Sequence, residues 1–370
     1  MIFELSQKLI DAVIVEVGAL NRLAQHLSSR QNHHSRVVVI SDRTTFSHYG
    51  ELVFQQMETL GLPAHYILTP EDETNKTLQH VEYCWKRMLE AEMDRKSLII
   101  ALGGGHVTDL AGFVASCYMR GIDLINIPTS LTGMADAGLG GKNGVNMAGI
   151  KNLVGTFYQP SLIVIDPQCL TTLPRQHYIA GLSEVIKHGV ACDADLFEFI
   201  KKNTHEILAR DLVTITTMVE WSCRIKLEIV NQDEKEQGKR SVLNWGHTFA
   251  HALESLTDYT QYLHGEAVAI GMSCAAYVSK QLGFATDELV TCQDDLCRNI
   301  GLPIVLPDIS IDAIIDCMMR DKKSSGENIS CIVAKNIGEV FKVENVARQI
   351  VSEALLAKRQ RDAQVLSAVC

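Results

Sequence analysis

Apolar residues in the first half of the chain come in short unbroken runs closed by polar residues or glycine. Arg36-Val37-Val38-Val39-Ile40 ends at Ser41-Asp42, and Ser97-Leu98-Ile99-Ile100-Ala101-Leu102 runs into Gly103-Gly104-Gly105. Leu162 to Ile165 repeats the pattern, and Leu124-Ile125-Asn126-Ile127 does so with one polar residue inside. Such runs, rich in β-branched residues, predict buried strands. Stretches with helical spacing lie between the first two, near Tyr49 to Leu60 and Leu78 to Ala91, and another, Leu110 to Met119, follows the glycines. Strand–helix alternation implies parallel pairing with helices on the faces, a Rossmann-like arrangement.

After Leu173-Pro174 the texture changes to long helical periodicities: Gly181 to Asn203, Leu212 to Val230, Thr248 to Ser255, Glu266 to Leu282 and Ile311 to Arg320. The expected organisation is therefore an α/β domain over 1–175 and a mostly α-helical domain over 176–370. A chain of 370 residues exceeds what one core usually serves, which agrees with two. The tail from Val351 to Cys370 is charged and helix-compatible.

Bulk properties narrow the function classes. A net charge of -10 argues against general binding to nucleic acid or anionic membranes. No apolar stretch approaches the ~20 residues of a membrane helix. Glu4, Lys8, Asp11 and Glu16 interrupt the first twenty residues, so no signal-peptide core is expected there. Eleven cysteines without a Cys-x-x-Cys pair point to reduced thiols in a cytoplasmic protein.

Candidate chemistry concentrates in Leu243-Asn244-Trp245-Gly246-His247-Thr248-Phe249-Ala250-His251 and in Leu263-His264-Gly265-Glu266. His247 and His251 are four residues apart and share a helix face, and His264 opens the next patterned stretch. A lone histidine is more often a cap or core filler, but three together suit zinc. A catalytic zinc also needs an open position, and Glu184, in Ser183-Glu184-Val185-Ile186-Lys187-His188, is the natural upstream ligand. In the first half, Gly103-Gly104-Gly105 between a strand and a helix can cradle a pyrophosphate, with Asp42 at a strand end to accept ribose hydroxyls. The spacing is not Gly-x-Gly-x-x-Gly, and a plain tight turn is about as good a reading of the glycines alone. Lys142 lies in the glycine-rich stretch Asp136 to Asn146, and Lys151-Asn152 follow. Lys187, Lys226 and Arg240 join them, with Lys322 and Lys323 near the end. Cations held in such surroundings need anions, which suggests a substrate bearing phosphate or carboxylate.

Taken together, these stretches resemble the 3-dehydroquinate synthases, members of the sugar-phosphate cyclases. The resemblance runs from about Val37 to Val340. It rests on Gly103 to Asp109, Tyr118-Met119-Arg120-Gly121, Gly140 to Asn146 and Lys151 to Pro160. It continues through Ser183 to Lys187, Leu243 to His251, Leu263 to Met272 and Asp321-Lys322-Lys323.

The resemblance implies a Rossmann-like N-terminal domain and a helical metal-binding C-terminal domain. It implies Glu184, His247 and His264 as ligands of Zn2+ or Co2+, moving His251 from the metal to the substrate. Tightly held NAD would meet Asp42, Glu73, Lys76, Gly104, Gly105, Asp109, Thr129, Ser130 and Thr172, with Asp136 and Lys151 where cofactor meets substrate. The substrate would meet Arg120, Lys142, Asn152, Lys187, Lys226, Arg240, Asn244, His251 and one of Lys322 or Lys323.

The implied reaction converts 3-deoxy-D-arabino-heptulosonate 7-phosphate to 3-dehydroquinate and phosphate, in aromatic amino-acid biosynthesis. An alcohol is oxidised by NAD, phosphate is eliminated, the ketone is reduced again, and the opened ring closes by an aldol step. The enzyme would thus be a lyase, and by resemblance a homodimer.

Asp136-Ala137-Gly138 stands where dehydroquinate synthases read Asp-Ser-Ser, and looks more like relatives that cyclise sedoheptulose 7-phosphate to valiolone-type products. Those relatives tend to carry Asp and Pro at the positions of Asn244 and His251, so the heptulosonate is the first expectation and sedoheptulose phosphate the alternative. Two further readings are a metal-dependent polyol dehydrogenase and a paralogue that binds without turnover. The first has no need of Lys142, Lys151, Arg240 and Lys322, and the intact Glu184, His247, His264, Lys187 and Asn244 speak against the second.

Overall fold

The structure is a computed structural model that describes residues 2–3, 12–30, 34–71, 73, 76–321 and 328–369. It divides into two compact units, one of Met1–Leu173 with Ile215–Cys223, the other of Pro174–Thr214 with Arg224–Cys370.

The first unit is built on a sheet. Its strands are β1 (Ile2–Phe3), β2 (Ala12–Val15), β3 (Val37–Asp42), β4 (Ala64–Thr69), β5 (Leu98–Gly103) and β6 (Asp123–Pro128). A hairpin follows, β7 (Lys142–Met147) and β8 (Ile150–Phe157), and β9 (Leu162–Ile165) returns to the sheet. The order is β1-β2-β9-β6-β5-β3-β4, parallel throughout except for β1. Every residue of β3, β5 and β9 is buried, as a sheet covered on both faces requires. Alternate residues face one way, so Val38 and Ile40 join Ile99 and Ala101 in one core layer. Val81, Cys84 and Met88, at helical spacing on Leu78–Glu90, and Val107, Leu110 and Val114 on Gly105–Cys117 close that layer.

The glycine-rich stretch after residue 140 becomes the β7–β8 hairpin. Its turn residues Ala148 and Gly149 have φ of 52° and 77°, the left-handed pair that a tight hairpin demands.

The second unit is mainly helical: Arg175–Cys192, Ala194–Lys202, Thr204–Leu208, His247–Leu256, His264–Gln281, Asp287–Ile300, Ile311–Asp321 and Arg348–Val369. Two features differ from the sequence expectation. The single helix expected over 181–203 breaks at Asp193, whose carboxylate accepts the amides of Asp195 and Leu196 and so starts a second helix. The helical half also contains an antiparallel hairpin, β10 (Asn328–Asn336) with β11 (Glu339–Ala347).

The last helix is firmly seated. Lys358 is wholly buried, 3.1 Å from Asp362 and 5.5 Å above the Tyr277 ring, while Asp362 accepts the Leu306 amide at 2.9 Å. No described helix is long and apolar enough to cross a membrane. All ten described cysteines are free.

Candidate active site

Three helices of the second unit bring a carboxylate and two imidazoles together. Glu184 lies in the middle of Arg175–Cys192, His247 opens His247–Leu256, and His264 opens His264–Gln281. Two glycines make the approach feasible. A Cβ on Gly265 would stand 1.9 Å from the Ala180 carbonyl oxygen, and one on Gly246 would stand 2.6 Å from the Met272 amide nitrogen. Gly246 also has φ of 79°, which turns the chain into the helix that starts at His247. The backbones therefore touch next to both histidines. Trp245, fully buried, pins the same turn by donating its indole N–H to Gln293 at 3.0 Å.

The resulting group is compact: one ligand atom each from Glu184, His247 and His264 lie within 4.8 Å of one another. Nε2 of His247 is 3.5 Å and Nε2 of His264 is 3.4 Å from the same oxygen, Glu184 Oε1. Donors around a tetrahedral centre with bonds of about 2.0–2.1 Å stand about 3.4 Å apart, so these gaps suit such an ion. Both imidazoles turn their other nitrogen to an acceptor. His247 Nδ1 faces the Trp245 carbonyl at 3.2 Å, and His264 Nδ1 faces Glu254 Oε2 at 3.3 Å. Glu184 is fully buried, and the groups facing its oxygens are His247, His264 and Lys187. Such a carboxylate fits the ligand of a cation better than a structural hydrogen-bonding group.

Lys187, 1% exposed and one turn on from Glu184, holds Nζ 2.5 Å from Glu184 Oε2. Burial alone would raise the Glu184 pKa, but the charges of Lys187 and then His247 hold it well below the usual carboxylate range. Burial, with Lys187 nearby, pushes His247 down to about 4. Burial acts against the charged form of His264 too, yet hydrogen bonding to Glu184 and Glu254 outweighs it and lifts the group to about 10.

His251 stands apart from the ligand group. Its ring is exposed, 5.7 Å from the His247 ring and stacked 6.3 Å from that of His264. Spacing alone had made His251 a metal ligand; the donor group that forms contains Glu184 in its stead. Arg240 is buried, its Nη1 2.5 Å from the Glu234 carbonyl and its amide bonded to Asp233. Asn244 donates to Glu236, and Lys226 is buried. Lys322 and Lys323 lie outside the described residues.

In the first unit, Gly104 caps the helix Gly105–Cys117 without a side chain, and its carbonyl accepts the amides of Val107 and Thr108 at 3.0 and 3.1 Å, so the positive end of the helix lies at the glycines. Gly104 faces Ser130, and the Thr129 amide donates to the Gly103 carbonyl at 2.9 Å. Lys76, 3% exposed, bridges Glu73 and Asp109 at 2.8 Å each. Asn146 ties the hairpin to this trio, its amide donating to the Lys76 carbonyl and its side chain to that of Glu73. The Asn152 amide donates in turn to Asn146, at φ of 53°. Asp42 spends both carboxylate oxygens on Thr45 as the cap of Arg43–Thr59, and Thr172 bonds to Tyr49. Asp136 sits in a π-helical turn, Gly133–Ala137. Lys151 is half-buried, whereas Lys142 and Arg120 are exposed. Lys142 is the first residue of β7.

Sequence reasoning passed over Glu254, although it lies seven residues after His247 and three after His251 on one helix face.

Comparison with known proteins agrees with the geometry. Residues 66–180 match the family model of the 3-dehydroquinate synthase N-terminal region, and residues 181–324 that of the C-terminal region. A 3-dehydroquinate synthase of Crocosphaera subtropica is 38% identical over 346 residues, 93% of this chain and 94% of the relative. One from Gloeobacter violaceus is 39% identical over 344 residues, 93% and 95% of the two chains. Among solved structures, a 2-epi-5-epi-valiolone synthase from Streptomyces hygroscopicus subsp. jinggangensis 5008, with NAD+ and Zn2+ bound, superimposes with a TM-score of 0.87. It is 27% identical and covers 98% of this chain and 99% of its own. The chain belongs to the 3-dehydroquinate synthase family.

Proposed function

We propose that this chain converts 3-deoxy-D-arabino-heptulosonate 7-phosphate to 3-dehydroquinate and inorganic phosphate, as a lyase that uses NAD catalytically and one divalent ion. The observation that carries this reading is the buried Glu184, set 3.4–3.5 Å from two imidazole nitrogens and backed by Lys187. Glu184, His247 and His264 would hold Zn2+ or Co2+. When bound, the ion would acidify a substrate hydroxyl, and the nicotinamide would take a hydride and return it.

The chain's own residues do the rest. In this reading, Asp42, Glu73, Lys76, Gly104, Gly105, Asp109, Thr129, Ser130 and Thr172 hold the dinucleotide, with the pyrophosphate at the N-terminus of the helix Gly105–Cys117. Asp136 and Lys151 stand beside the nicotinamide. Lys187, Lys226 and Arg240, all buried, supply fixed positive charge where an anion develops. Lys142, Arg120, Asn152 and Lys322 or Lys323 meet the phosphate and carboxylate from less enclosed positions. Asn244, oriented by Glu236, and the exposed edge of His251 face the reacting carbons. The reading carries with it a cytoplasmic homodimer in aromatic amino-acid biosynthesis.

Sedoheptulose 7-phosphate is the second substrate considered. Asp136-Ala137-Gly138 and the likeness to the valiolone synthase favour it. Asn244 and His251, at the reacting end, favour the heptulosonate. Offering both sugar phosphates side by side decides, with phosphate release measured and the carbocycle identified. The heptulosonate alone is expected to turn over, with NAD substoichiometric and no net NADH. Net NADH would replace the proposal with a dehydrogenase, and release from sedoheptulose phosphate alone would replace the substrate.

A further inference from the structure

Glu254 has no place in the reaction as written, yet its surroundings single it out. It is a carboxylate, 3% exposed, on the helix His247–Leu256. Ion pairing or hydrogen bonding must offset the cost of burying such a group. His247, His251 and Glu254 recur at i, i+4 and i+7, so one helix face carries a candidate ligand, its neighbour and this acid. Across from that face, Glu254 Oε2 lies 3.3 Å from Nδ1 of His264, whose Nε2 lies 3.4 Å from Glu184.

We infer that Glu254 is a positioning residue for the metal centre: it accepts the Nδ1–H of His264, fixes the tautomer that leaves Nε2 bare, and aims that nitrogen at the ion. His247 has its own anchor in the Trp245 carbonyl. The two imidazoles are thus held by unlike acceptors, one neutral and one anionic. A carboxylate behind a ligating imidazole makes it a stronger donor than a carbonyl does. The helix 247–256 therefore holds both imidazoles, one by bearing it and the other through Glu254. The inference rests on the metal reading of the preceding section.

The test uses the full chain stripped of metal, Zn2+ alone in competition with a chromophoric chelator, and Co2+ alone for its visible absorption bands. Glu254→Ala should weaken Zn2+ binding about 10- to 100-fold and alter the Co2+ bands. Glu254→Gln keeps the size and an acceptor for Nδ1–H, and should recover part of the affinity. Circular dichroism and melting of each ion-free variant report folding separately, and the near-isosteric Gln variant serves if the Ala variant does not fold. Folded variants that bind Zn2+ within about twofold of the unaltered chain, with unchanged Co2+ bands, overturn the inference while leaving the metal site intact. An unaltered chain that binds neither ion overturns the metal reading, and the inference with it.

Discussion

Gly265 lies against the Ala180 carbonyl so closely that a Cβ there would stand 1.9 Å from the oxygen. That contact sets the His264 helix onto the helix of Glu184, one turn before the carboxylate. Gly265→Ala must push the two helices apart, at a cost of about 1–3 kcal/mol by analogy with overpacked cores. Urea denaturation should show the loss, and Zn2+ titration should show weakened binding. An unchanged affinity would mean that the contact does not set the ligand geometry.

Lys187 neutralises Glu184 in the ion-free protein. Replacing Lys187 with Met takes the nearest cation from a buried carboxylate and leaves His264 as its charged partner, a change that for paired buried charges costs up to about 3–5 kcal/mol. The ion-free variant should melt well below the parent. Added Zn2+ should restore more stability to it than to the parent, since the ion then replaces the ammonium charge lost from beside Glu184. Equal gains in both proteins would sink this account.

The two histidines should give the ion-free protein opposite pH limbs. His264, raised to about 10, contributes stability that is whole below its ordinary 6.5 and is lost as pH climbs through about 10. His247, lowered to about 4, stays neutral in the fold, so its contribution is present above 6.5 and is lost as pH falls towards 4. The ion must also displace the His264 proton, so apparent Zn2+ affinity should rise with pH until that group is deprotonated. Melting curves against pH for the parent and for His264→Gln isolate the alkaline limb. Identical limbs would falsify the assignment.

In the first unit, Lys76 sits between Glu73 and Asp109, and these two carboxylates outweigh the burial that would otherwise lower its pKa. Lys76→Met should cost about 1–3 kcal/mol, because two partly exposed acids then lose the cation between them. Fluorescence of bound NADH should fall in parallel if this trio positions the dinucleotide. Preserved NADH binding in a folded Lys76→Met protein would remove it from the cofactor site.

Much of this was legible in the residues. Strands β3, β5, β6 and β9 announced themselves because burial on both faces leaves an unbroken apolar run. Edge strand β4 was missed, since its outer residues His65 and Tyr66 are exposed and dilute the signal. The hairpin β7–β8 was hidden by its glycines, and β10–β11 by the helices around it. At the site, the His247 and His264 segments and Glu184 could be read from spacing and family likeness. Their convergence was implied by the likeness and not by spacing, because it depends on which backbones can touch, and Gly246 and Gly265 decide that. Glu254 escaped because a buried acid and an exposed one look alike in a sequence.

The closing helix, finally, is no dispensable tail. Burial raises the Asp294 carboxyl, the Lys358 charge offsets only part of that rise, and Asp294 accepts the Ser273 hydroxyl at 2.9 Å. Residue Gln293, next door, holds the indole of Trp245 and hence the turn before His247. A frameshift or premature stop ahead of Lys358 would therefore be felt more than a hundred positions upstream, where the histidines begin.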